Sequence, residues 1–73
     1  MAEPTYNPTR ALLHIHARFE AEDMSEQAAA LRTIVSHIDA DPIRSADLLA
    51  AVWHLMDLFP DTKDRILEIA KGA

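Results

Sequence analysis

Four histidines are the residues best suited to chemistry in this chain, and their spacing limits what they can do together. His14 and His16 flank Ile15. On a strand the two imidazoles point the same way, but on a helix they face about 200° apart and cannot chelate one ion. His54 and Asp57 stand three apart and can share an ion on a helix, provided a third ligand arrives from elsewhere, for which a histidine of the first helix is the available source. That defines one reading, a small metal- or ligand-binding helical protein. The Glu-x-x-His spacing of di-iron bundles is absent from the sequence. His16 falls between Leu12 and Leu13 on a helical wheel and reads as a hydrogen-bonded edge residue.

Nucleophilic catalysis finds no footing. Ser25, Ser36 and Ser45 sit at cap or surface positions without a base and an orienting acid. Asp39 and Asp41 read as neighbouring helix-end residues in a loop, not as an acid–base pair. The single glycine excludes a glycine-rich phosphate cradle. The sequence therefore predicts no enzyme and no cofactor.

Composition narrows the remaining classes. The chain has 73 residues, 49% apolar and 26% charged, with a net charge of −5 and no cysteine. Such a balance belongs to a folded soluble domain and not to a disordered one. No apolar run approaches the length of a membrane span, and residues 1–4 lack the features of a signal peptide. The absence of cysteine fits a reducing compartment, so a cytoplasmic location is expected. Acidity disfavours a phosphate-binding surface. Helix 2, the Asp39–Pro42 link and helix 3 could imitate a helix-turn-helix, but the start of helix 3 offers only Ile43, Arg44, Ser45 and Asp47, and the five arginines form no stripe. Nucleic acid is not an expected partner. Thirteen alanines and five arginines against two lysines are GC-rich codon choices, pointing to a bacterium or bacterial virus.

The elements that must position any site are helices. Residues 1–7 show no periodic pattern and read as a flexible arm, with Tyr6 as a staple onto residues 8–73, a single helical domain. Asn7-Pro8 is a helix start, and helix 1 runs from about Pro8 to Glu22 with Leu12, Ile15 and Phe19 as its apolar stripe. Asp23 or Ser25 caps helix 2, about 24–38, whose Met24, Ala28, Leu31, Val35 and Ile38 form a 4-3-4-3 seam widened by Ile34. A continuous helix from 8 to 38 competes with this break. Pro42 bars the helical conformation at Asp41, so Asp41 is the expected N-cap of helix 3, about 42–58. Asp61 caps a last helix that buries Ile66, Ile69 and Ala70 with Leu67 at the margin, supports itself with Asp61–Arg65 and Glu68–Lys71 pairs, and stops at Gly72.

Helix 3 differs from the others. Leu48, Leu49, Val52, Leu55, Met56 and Phe59 fill an arc of about 120°, Trp53 extends one margin and Leu58 lies beyond the other. The expected architecture is all-α, a small bundle of about four short helices with helix 3 central. The expected function is a non-catalytic protein-interaction module (a small regulator, adaptor or inhibitor of another protein) that also forms a homodimer through helix 3. Trp53, Met56, Leu58 and Leu49 are the expected interface, and Trp53→Ala should weaken association more than helicity.

Overall fold

A computed structural model of the chain describes residues 7–39 and 41–73. The proposed arm and its Tyr6 staple, Asn7 apart, lie outside the described residues. Four α-helices follow one another: α1 (Pro8–Ala21), α2 (Ser25–Ser36), α3 (Ser45–Leu58) and α4 (Lys63–Lys71), with a 3₁₀ turn at Pro60–Thr62 between the last two. The fold is an all-α bundle, as the periodicity requires.

Helix α1 begins where the sequence places it. Asn7 is extended, its side-chain oxygen accepts from the Arg10 N–H at 3.2 Å, and Pro8 fills the first helical position. The break after α1 is real, but its chemistry differs from either cap expected for α2. Asp23 adopts the left-handed conformation at φ 58°. Its N–H donates to the Glu20 carbonyl at 3.3 Å, and the Met24 N–H donates to the Phe19 carbonyl at 2.8 Å. These two bonds form a Schellman motif in which aspartate occupies the position glycine usually holds. Asp23 thus ends α1 rather than starting α2. Met24 precedes α2 without a side-chain cap, and Ser25 lies inside its first turn.

Helix α3 starts three residues later than the proline suggests. Arg44 is its extended N-terminal flank and donates its N–H to Asp47 Oδ2 at 3.1 Å. Only this half of a capping box exists, because a guanidinium offers no acceptor. The role expected of Asp41 therefore belongs to Asp47, reaching back from inside the helix. Helix α4 is likewise preceded by a separate turn: Asp61 lies in the 3₁₀ segment and Thr62 flanks α4. Gly72 has φ −82°, an ordinary helical value, so no left-handed stop operates there.

The core is one cluster drawn from every helix: Ala11, Leu12, Ile15 and Phe19 from α1, Ala28 and Leu31 from α2, Leu48, Ala51, Val52, Leu55 and Met56 from α3, Ile66 and Ile69 from α4. Helix α3 packs on the other three helices and on the 3₁₀ turn, which makes it central. It shares that place with α1, which also meets every other helix, whereas among the described residues no Cα atoms of α2 and α4 come within 8 Å of each other. Gln27 is the one buried polar side chain among them, and its amide Nε2 donates to Thr62 Oγ1 at 3.1 Å. That bond joins α2 to the turn before α4.

Candidate interaction face

Four of the five large apolar side chains left in solvent among the described residues each follow a core residue by one position. Leu13, which follows Leu12, lies on α1, and the other three lie on α3 and α4. Leu49 follows Leu48, Trp53 follows Val52 and Leu67 follows Ile66. One residue advances a helix by about 100°, enough to carry a side chain from the core onto the adjacent face. Leu49 and Trp53 stand four apart, about 40° around α3, and form a ridge along it. They are 58% and 57% exposed. Leu67, 36% exposed, answers them from α4.

Between these rows runs an open groove of about 350 Å³. Ile15, Leu48, Val52 and Ala70 line its interior, with Leu49, Leu67 and Lys71 among its other lining residues. The apolar row of α4 continues in charge: Lys63, Leu67 and Lys71 repeat at intervals of four, and both lysines are exposed. Among the described residues neither lysine is paired with a carboxylate. They are the chain's only lysines.

The four residues expected at an interface separate into three environments. Leu49 and Trp53 share the ridge. Leu58, 52% exposed, is five residues beyond Trp53 and hence about 140° around the helix, on the opposite margin. Met56 is 3% exposed and belongs to the core, so it offers nothing to a partner. On the helical wheel it falls between Val52 and Leu49, within the core arc.

The histidines do not assemble. Among the described residues no group of three or more histidines and carboxylates is placed to hold a metal ion. His54 lines a groove between α2 and α3 with His37, Asp47, Ile34 and Ala50, and no histidine of α1 lines it. His16 is an edge residue with its Nδ1 3.0 Å from Glu20 Oε1, and its Nε2 is buried without a partner. It borders a second, smaller groove between α1 and α2, lined also by Leu12, Leu13, Leu31, Arg32 and Val35.

Charge is organised on the far side of α4. Glu22, which caps the end of α1, accepts from Arg18 at 2.7 Å and from Arg65 of α4. Arg65 also donates to Glu68 at 2.9 Å. The hydrogen bonds from Arg65 and then Arg18 hold the Glu22 carboxyl below its ordinary range, and the same bonds from Glu22 and then Glu68 raise Arg65. Neither the Asp61–Arg65 nor the Glu68–Lys71 pair read from helical spacing forms, because Arg65 turns across to α1 instead.

Leu67 and the two lysines are the functional candidates that the sequence reading passed over. Periodicity assigned Leu67 to the margin of the buried side, and in the fold it is 36% exposed and lines the groove. The chain matches no family model, no curated protein and no solved structure. No helix of the described residues is long and apolar enough to cross a membrane.

Proposed function

We propose that this protein is a non-catalytic protein-interaction module, a small regulator, adaptor or inhibitor that engages another protein through the α3/α4 face. The observation that supports this reading is the ridge of Leu49 and Trp53, each more than half exposed beside an apolar groove. Scattered surface leucines are ordinary, but here Leu49 and Leu67 line one concavity and Trp53 continues the α3 row one turn beyond it, an aromatic-bearing patch of the kind protein interfaces use. The test is recovery of companions from the producing cell with the tagged wild type and with a Leu49→Ser/Trp53→Ser variant. A stoichiometric companion retained by the wild type and lost by the variant supports the proposal. Equal recovery by both, or none by either, contradicts it.

A homodimer along α3 is the second reading, and Leu58 favours it. This residue is exposed on the margin away from the ridge, so α3 keeps an apolar contact for a second copy while the groove is occupied.

A further inference from the structure

We infer that the α3/α4 groove receives one amphipathic helix of a partner protein, apolar on its inserted side and acidic along the flank that passes α4. The inference rests on the interaction reading above and specifies the occupant.

Shape selects a helix. A groove between two packed helices presents parallel rows of side chains, and another helix fills it by inserting residues spaced three and four apart. Here the lining supplies small and aliphatic residues, Ala70 and Val52 among them, with Leu49 and Leu67 beside them and Trp53 extending the α3 row. An extended strand finds no sheet edge to pair with, because the described residues contain no strand.

Charge selects the acidic flank. Lys63 and Lys71 bracket Leu67 on one row, about 12 Å apart at the helical rise of 1.5 Å per residue. Two turns of a partner helix cover that distance and place carboxylates opposite both ammonium groups. In a chain of net charge −5, Lys71 lines this groove and Lys63 continues its row about two turns back along α4, both without carboxylate partners among the described residues. A second copy is a poorer occupant. It brings another −5 at long range, and a two-fold contact through the groove gathers four lysines at one apolar interface.

The test uses two synthetic helices of about four turns, identical in their leucine row and differing only in whether the flanking row carries glutamates or lysines. Each is titrated into the full-length chain while Trp53 fluorescence and backbone amide shifts are followed. The glutamate helix should bind about tenfold more tightly at low salt, with shifts at Leu49, Trp53, Leu67 and Lys71. Lys63→Glu/Lys71→Glu should reverse the ranking, and Leu49→Ser/Trp53→Ser should abolish both titrations. Equal affinities, absence of binding, or shifts confined to the other grooves overturn the inference. So does a concentration-dependent Trp53 signal without peptide, which assigns the groove to a second copy. If a companion is recovered through Leu49 and Trp53 while the peptides show no preference, the acidic helix is wrong and the interaction module stands.

Discussion

The guanidinium of Arg65 donates its Nε–H to Glu22 Oε1 at 2.6 Å, tying the body of α4 to the residue that caps α1, 43 positions earlier. Arg18 holds the other oxygen of the same carboxylate at 2.7 Å. The clamp fixes α4 against α1 on one side, which leaves its Lys63–Leu67–Lys71 row on the other.

Acid should loosen this clamp. The folded carboxyl of Glu22 titrates below its unfolded counterpart because Arg65 and Arg18 donate to its charged form. Its contribution is therefore complete above the unfolded value, about 4.3, and disappears as pH falls through the lower folded value. Thermal melts of Glu22→Gln should lie below wild type at neutral pH and converge with it in acid. Parallel curves at all pH values would show that the clamp contributes nothing.

Aspartate at a left-handed position carries a conformational cost that glycine avoids. Asp23→Gly should raise the unfolding free energy by about 0.5–1 kcal/mol, the left-handed penalty less the added entropy of the unfolded chain. A β-branched residue should do the reverse, so Asp23→Val is predicted to lower the urea midpoint. Unchanged midpoints for both variants would place the Asp23 turn outside the cooperative unit.

Gln27 and Thr62 form a coupled pair. Thr62→Val strands a buried amide and should cost about 1–3 kcal/mol. Adding Gln27→Leu removes the stranded group and should restore part of the loss. A double-mutant cycle with no coupling would mean that the Nε2–Oγ1 bond has no energetic weight.

The ridge and the core of α3 should respond differently to truncation. Leu55→Ala and Met56→Ala each open a cavity and should cost about 2–5 kcal/mol. Leu49→Ser and Trp53→Ser should change stability by about 0.5 kcal/mol or less, as exposed positions do. Sedimentation should show Leu58→Ser weakening a dimer formed along the far margin of α3 while Trp53→Ala leaves it intact, because the two residues lie on opposite margins. This replaces the expectation from sequence that Trp53→Ala weakens association.

Much of this was legible in the sequence, for physical reasons that differ by residue. Asn7-Pro8 identified its helix start because both side chains act locally, and Leu12, Ile15 and Phe19 identified a face because burial repeats with the helix. Asp23 and Asp41 read as N-caps, yet aspartate suits a cap, a left-handed turn and a loop alike, and only the backbone decides among them. Arg65 was assigned to Asp61 by spacing, yet Glu22 reaches it from another helix, a relationship with no local signature. At the candidate face, the wheel placed Trp53 and Leu58 on opposite margins of α3 correctly. The same wheel placed Met56 within the core arc, and its 3% exposure agrees with that position and not with a place at an interface. The row of Lys63, Leu67 and Lys71 was present in the spacing but acquires meaning only beside Leu49.

If the Leu49–Trp53 ridge is where this protein meets its partner, the binding affinity must depend on those two side chains. Calorimetric titration of the recovered companion with wild type and with Leu49→Ser/Trp53→Ser tests it most directly, provided circular dichroism shows equal helix content. The expected result is a loss of at least about tenfold in affinity, or about 1.4 kcal/mol, without loss of helix. Equal affinity in the two proteins would contradict it and move the binding site to another face.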